Sequence, residues 1–89
     1  MDNYKVYIKT NENSLVTDIE GGLYPPTDVT NWILIDEGTQ YPKYTHPQGN
    51  YLKKSLTNLD KTHNYIYENS TVRETTEAEK QSELTMFNI

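Results

Sequence analysis

Cysteine is absent from this 89-residue chain, which excludes disulfides and zinc sites built on thiolates. No apolar run approaches the roughly 20 residues that a membrane span needs. A basic surplus is also missing: 8 Lys and Arg face 13 Asp and Glu, for a formal net charge of −5. That balance argues against nucleic-acid binding, because basic side chains must neutralise the phosphates. The first residues lack the basic segment and apolar run of a signal peptide, so none is predicted.

Aliphatic residues are scarce as well. Leu, Ile, Val and Phe together number 18, and eight of the residues counted as hydrophobic are tyrosines. So few aliphatic side chains in so short a chain make a marginal core, which is too small for a Rossmann fold or a barrel enzyme. Because disulfides are excluded, we expect oligomerisation or docking into a larger assembly to supply the missing stability.

No constellation of residues predicts catalysis. The only histidines, His46 and His63, are 17 residues apart and have no ligand-like spacing, so no metal site is predicted. The serines lie in turns or polar runs without a nucleophile elbow. Asp36 and Glu37 are adjacent in a predicted strand and therefore point to opposite faces rather than forming an acid–base pair. We expect no catalytic residue and no cofactor, and hence a protein that is not an enzyme.

The first third of the chain has the alternation of β-strands. Residues 4–9 (YKVYIK) alternate between apolar and polar, and residues 15–19 form a second short strand, so residues 4–19 predict a hairpin. Residues 31–37 (NWILIDE) are apolar on both faces, which predicts a central strand or one between a sheet and another layer.

Two irregular segments flank that strand. Residues 20–30 contain Gly-Gly and Pro-Pro pairs, and Leu23 with Tyr24 is expected to tuck this loop onto the core. Residues 38–50 form a long loop rich in Gly, Pro and Tyr, whose aromatic content indicates order. Residues 51–56 are interpreted as a short edge strand.

The C-terminal part predicts a second hairpin and then a helix. Residues 64–68 and 71–75 form the hairpin. Thr76 and Glu79 match the capping box that begins a helix, which is predicted over residues 77–87. Its apolar residues make a poor stripe, so we expect the helix to dock, to self-associate or to fray.

Together these patterns predict a small, mainly β (α+β) fold. We expect an antiparallel β-meander of four to five strands followed by a C-terminal α-helix. The β domain covers residues 1–75, and the helix or tail covers residues 76–89.

Tyrosine is the distinctive residue, because it offers broad, rigid contact area with a polar tip and suits interfaces. Some tyrosines are expected to complete the core. Those in or beside the long loop are candidates for an interface, as are a histidine of that loop and two apolar residues of the helix. The candidate interface residues are Tyr41, Tyr44, His46, Tyr51, Leu84 and Phe87.

Three stretches of the chain, at residues 4–19, at 31–38 with 43–51, and at 64–80, resemble a known family in their order and spacing. The specific parts are the strand end Trp32-x-x-Ile-Asp-Glu-Gly and the turn Gln-Gly-Asn-Tyr51. The family consists of small proteins that lie beside tail-fibre or baseplate genes in bacteriophages and prophages of low-GC Gram-positive bacteria.

The resemblance implies a setting and no catalytic residues. It leads us to expect a non-enzymatic structural or adaptor protein of a phage tail, baseplate or tail fibre. The expected partner is a larger tail or fibre protein, with self-association of the chain, and no nucleic acid or membrane is involved. The protein is expected in the host bacterial cytoplasm during assembly and then in the virion tail.

Two other functions fit the same residues. A phage-encoded inhibitor that binds a host defence or regulatory protein would also be small, acidic and without a catalytic site. A carbohydrate-binding module could contact the host surface through Trp32, Tyr41, Tyr44 and Tyr51, since sugars stack on aromatic rings.

Overall fold

The computed structural model describes residues 3–87, except for the side chain of Phe87. The strands in this part form two antiparallel sheets, one of three strands in the order β2-β1-β3 and one of two strands, β4-β5. The prediction of a small, mainly β fold with a C-terminal helix is confirmed, although the strands divide between two sheets. The elements are β1 (Tyr4–Thr10), β2 (Val16–Gly21), β3 (Ile33–Gly38), α1 (Pro47–Asn50), β4 (Tyr65–Glu68), β5 (Thr71–Glu74) and α2 (Glu77–Phe87).

The first hairpin forms as its alternation predicts. Val6 and Ile8 on β1 are fully buried, whereas Tyr7 between them is half-buried and Lys5 before them is exposed. The connecting turn is closed by Asn11, whose Oδ1 accepts hydrogen bonds from the backbone amides of Asn13 at 2.9 Å and Leu15 at 3.1 Å. This local bonding gives the short turn its shape and lets β2 return antiparallel to β1.

The position of β3 differs from the expectation of a central strand. β1 lies in the middle of the three-stranded sheet, with β2 on one side and β3 on the other, so β3 is an edge strand. Its inner face is covered, since Ile33 and Ile35 pack against the core. Its outer face carries Leu34, which is exposed. The sequence could not predict this order because it depends on the path of the loop from β2 to β3.

The core is shared between the two sheets. Tyr67 on β4 donates its amide to the carbonyl of Ser14 at 2.9 Å, and Leu15 forms a β-bridge with Ile66. The second hairpin therefore joins the start of β2, and residues of the long loop also pack there. The buried cluster consists of Val6, Ile8, Val16, Ile19 and Tyr65.

Two further expectations about loops are wrong. Residues 51–56 form no strand, because the chain turns through the short helix α1 immediately before them, with a buried proline, Pro47, in its first turn. Leu23 and Tyr24 do not tuck onto the core: both side chains are exposed.

The second hairpin and the helix follow their local signals. Asn69 and Ser70 have φ values of 53° and 65°, as a two-residue type I′ turn requires. The capping box is formed, with the Thr76 amide donating to Glu79 Oε1 at 2.8 Å and the Glu79 amide donating to Thr76 Oγ1 at 3.2 Å. The helix spans the predicted residues. The domain boundary at residue 75 stays a prediction.

Two glycines fix the joint between β2 and the long loop. Gly21 and Gly22 have φ values of 138° and 69°, which residues that carry a side chain rarely adopt. A Cβ atom on Gly21 would collide with the carbonyl of Lys5, and one on Gly22 with the carbonyl of Thr45. The Gly22 amide donates to the Lys5 carbonyl at 3.0 Å, so the backbones meet directly here.

Candidate interaction surface

Asp36 anchors the long loop to β3. Its Oδ2 atom accepts hydrogen bonds from the hydroxyls of Tyr44 at 3.0 Å and Tyr51 at 2.8 Å, while Oδ1 accepts the Glu37 amide at 2.8 Å. The two tyrosine rings meet edge to face, with centroids 6.0 Å apart. We call Asp36, Tyr44 and Tyr51 the carboxylate anchor.

The electrostatics of the carboxylate anchor favour an ionised Asp36. Burial raises the pKa of the Asp36 carboxyl, but hydrogen bonds from Tyr51 and from the Glu37 amide outweigh burial. The pKa of Asp36 therefore lies below its ordinary value, and the Tyr44 hydroxyl and the positive charge of Lys43 contribute to this. Burial, followed by the bond to Asp36, raises the pKa of Tyr51 far above its usual range.

Lys43 lies over the faces of the same two tyrosine rings. Its Nζ atom lies 5.2 Å from the ring centroid of Tyr44 and 5.3 Å from that of Tyr51, within range of cation–π attraction. Because Asp36 is ionised and bonded by three donors, it is not poised to move a proton. The carboxylate anchor is a structural device that holds the loop in place.

The exposed aromatic side chains lie on the neighbouring loop surfaces. Tyr41 is 73% exposed and Tyr24 is 69% exposed. His46 lies between them: its ring centroid is 5.6 Å from that of Tyr41, with planes at 84°, and 6.4 Å from that of Tyr24, with planes at 58°. We call Tyr24, Tyr41 and His46 the ring patch.

Backbone hydrogen bonds hold the ring patch in shape. The Leu23 amide donates to the carbonyl of Thr45 at 2.9 Å, and the His46 amide donates to that of Pro42 at 2.9 Å. The side chain of Gln48 donates to the carbonyl of Gly21 at 3.0 Å. These bonds join the two loops that carry the patch, so its rings are presented on ordered backbone.

The structure thus separates the predicted interface residues into groups. Tyr41 and His46 lie together in the ring patch, and Tyr24 joins them. Tyr44 and Tyr51 are half-buried in the carboxylate anchor, where their hydroxyls are already bonded. Tyr24 was expected to pack onto the core, and it is exposed because of how the loop over residues 20–30 is held, which local sequence patterns do not indicate.

The two helix residues stand apart from the ring patch. Leu84 is half-buried on α2, and the side chain of Phe87 lies outside the described part of the structure. The described side-chain bonds from α2 to the β part run to Arg73 and His63.

Sequence reasoning missed the contact that holds α2. Glu83 is buried, and its Oε1 accepts the backbone amide of His63 at 2.7 Å while its Oε2 lies 2.8 Å from the ring Nδ1 atom. One turn earlier, both carboxylate oxygens of Glu79 accept from the Arg73 guanidinium at 2.9 and 3.0 Å. The spacing of these two acids, i and i+4, puts them on one helix face and was the available signal.

Two searches of the described residues bear on other classes of site. Among residues 3–87, no three His, Cys, Asp or Glu side chains are grouped so as to hold a metal ion. Neither helix within the same range has the length and apolar character needed to span a membrane.

Comparison with protein-family models, with curated proteins and with solved structures finds no match for this chain.

Proposed function

We propose that the chain is a non-enzymatic structural or adaptor protein of a bacteriophage tail, baseplate or tail fibre. In this proposal it acts by protein–protein contact with a larger tail or fibre protein. It is present in the host cytoplasm during assembly and then in the virion tail. The setting comes from the resemblance of the strand end at Trp32 and the turn at Tyr51, and the mode of action comes from the ring patch.

The exposure of the ring patch is the observation that carries a contact function. Aromatic side chains are enriched at the centres of protein interfaces, because they bury much area at a small cost in rotamer entropy. This chain exposes Tyr24 and Tyr41 although aliphatic residues for its core are scarce. Rings held on ordered loops lose little further freedom when a partner covers them, which favours binding.

The first test is the protein content of purified phage particles. Mass spectrometry of particles from the phage or prophage that encodes the chain should detect it at a fixed ratio to the tail proteins. Its absence from intact particles would overturn the structural role.

The second test locates the contact. A photo-crosslinking amino acid at position 41 should give a discrete adduct with one tail or fibre protein during assembly. The matched control is the same amino acid at Leu59, which is fully exposed and lies in the turn before β4. Adducts of equal yield from both positions would show that the ring patch is not the contact.

The carbohydrate-binding alternative is favoured only by the same exposed rings. Of the aromatic residues proposed for it, Tyr44 and Tyr51 are engaged in the carboxylate anchor, and Lys9 Nζ lies 4.6 Å from the ring centroid of Trp32. Sugar binding would therefore depend on Tyr41. Glycan-array binding that is lost in Tyr41→Ala, with folding intact, would establish this alternative, and a crosslink from position 41 to a host protein would establish the inhibitor.

A further inference from the structure

We propose that the free edge of β3 pairs antiparallel with β3 of a second copy of this chain. Two three-stranded sheets then become one six-stranded sheet across a two-fold axis. This inference concerns a different surface from the ring patch and does not rest on the proposed function.

The composition of β3 is that of an interior strand, but its position is at an edge. Residues 32–35 (WILI) are apolar on both faces, as strands buried between layers are. Natural edges are usually protected by Lys, Pro, charges or bulges, since unprotected apolar edges pair with other chains. Here the protection is a bulge and the acids Asp36 and Glu37, which lie in the second half of the strand.

The opposite edge of the same sheet shows how this protein covers an edge. β4 meets the start of β2 and the residues just before it, through the bridge of Leu15 with Ile66 and the bond from Tyr67 to Ser14. The second half of β2 is met by α1, and Gln48 donates to the carbonyl of Gly21. Among residues 3–87, β1 is the one strand or helix that packs extensively against β3.

The hydrogen-bonding direction of β3 follows from the strand beside it. The bond from the Gly22 amide to the Lys5 carbonyl shows that Lys5 bonds toward β2. Successive residues of a central strand bond alternately to its two neighbours, so Tyr7 also bonds toward β2. Leu34 lies opposite Tyr7, and its N–H and C=O therefore point to the free edge. Its side chain is 45% exposed.

The strand is complementary to itself. If Leu34 lies opposite Leu34 of the second copy, the two residues can exchange both backbone hydrogen bonds across the two-fold axis. The same register puts Ile33 opposite Ile35 of the second copy, which matches two β-branched side chains.

Charges agree with this register. Asp36 and Glu37 follow Leu34 on each strand, so in an antiparallel pair centred on Leu34 the acids of the two strands lie at opposite ends and do not meet. Lys9, whose Nζ atom lies over Trp32, is then close to the acidic end of the second copy's strand. The net charge of −5 on each copy opposes association of two copies. The contact itself, in contrast, brings Lys9 of one copy near the acidic strand end of the other.

The experiment measures the mass of the full chain by sedimentation equilibrium over a range of concentrations. The wild type should be a dimer that dissociates on dilution, and the fluorescence of Trp32, the single tryptophan, should shift over the same range. Leu34→Lys and Leu34→Glu should each raise the dissociation constant about tenfold or more, because each charge meets its own copy. An equimolar mixture of the two variants should recover a dimer.

The matched control is Val29→Lys, since Val29 is 46% exposed in the loop before β3. It should leave the dissociation constant unchanged. Circular dichroism of each variant tests folding, and hydrogen exchange of the wild type supplies a measurement without substitution: the Leu34 amide should exchange more slowly as concentration rises.

Three results would overturn the proposal. One is a wild type that stays monomeric to about 1 mM, a concentration at which even weak specific pairs form. The second is equal weakening by the substitutions at positions 29 and 34. The third is a mixture of the Lys and Glu variants that remains monomeric although both are folded.

Discussion

The three-stranded sheet and the C-terminal part of this protein bury different kinds of side chain. In the sheet, the buried side chains are aliphatic. From Thr45 onward, apart from Pro47 and Tyr65, they are polar or charged. The first set comprises Val6, Ile8, Leu15, Val16 and Ile19, and the second comprises Thr45, Thr62, Asn64, Thr75 and Glu83.

The difference teaches how a chain with few aliphatic residues can still fold. Among the described residues, every buried side-chain nitrogen and oxygen has a hydrogen-bond partner. Aliphatic burial is non-directional and scales with area, whereas a buried polar group stabilises the fold only while its partners are in place. The loss of stability on substitution should therefore follow the side-chain volume removed in the sheet. In the C-terminal part it should follow the number of hydrogen-bond partners removed.

The largest effect is expected in the sheet. Ile8→Ala removes a fully buried side chain and leaves a cavity, so the free energy of unfolding should fall by about 2–5 kcal/mol. Urea denaturation followed by circular dichroism measures this. Leu59→Ala, at a fully exposed position, is the control and should be nearly neutral. A small effect of Ile8→Ala would show that the sheet does not carry the core.

Asn64→Ala tests the polar part. Asn64 Nδ2 donates to the carbonyl of Ser55 at 2.8 Å, and its amide exchanges hydrogen bonds with Asn58 at 2.9 and 3.1 Å. Removing it takes a donor from the Ser55 carbonyl and from Asn58 Oδ1, while Asn58 Nδ2 keeps its bond to Thr62 Oγ1 at 3.0 Å, so unfolding should become easier by about 1–3 kcal/mol. A double-mutant cycle with Asn58→Ala should show coupling, and additive effects would argue against the paired amides.

Tyr51→Phe tests the carboxylate anchor, a polar device attached to the aliphatic sheet. The substitution keeps the ring and removes one donor to Asp36, so the loss should be about 1 kcal/mol. Tyr41→Phe is the matched control, since its side chain is exposed, and it should change stability little. Equal losses would mean that the hydroxyl of Tyr51 is not bonded in solution.

The smallest expected effect is on how the stability of the fold depends on pH in acid. The Arg73 guanidinium, and after it the Thr76 amide, lower the pKa of Glu79 from 4.5 to about 2. Because the lowered pKa belongs to the folded state, its contribution is complete above about pH 4.5 and is lost as pH falls toward about 2. Glu79→Gln should flatten this part of the stability profile.

Denaturation midpoints across this pH range measure the slope. Glu77→Gln, an exposed neighbour in the same helical turn, is the control and should leave the profile as it is in the wild type. A profile that Glu79→Gln leaves unchanged would contradict the assignment.

Local signals predicted what local interactions determine. The first hairpin follows from alternation, the second from the turn at Asn69 and Ser70, and the helix from Thr76 with Glu79. The edge position of β3, the exposure of Tyr24 and the short helix at Pro47 were not predictable in this way. They depend on contacts between residues far apart in the chain, such as Gln48 with Gly21, whose partners no periodicity identifies.

The candidate site shows the same division. Loop composition pointed to Tyr41 and His46, but it could not separate them from Tyr44 and Tyr51. That separation depends on Asp36, which lies 15 residues before Tyr51 in the chain and accepts a hydrogen bond from the Tyr51 hydroxyl. Composition indicates which side chains suit an interface, and only the packing decides which of them remain available.

The joint at Gly21 and Gly22 has a consequence for how this chain can vary. At both positions the obstacle to a side chain is a backbone carbonyl, of Lys5 in one case and of Thr45 in the other, so no rotamer change can relieve it. Drift in the surrounding sequence cannot compensate for the loss of either glycine without moving a strand or a loop. We therefore expect both glycines to tolerate substitution less well than the residues around them.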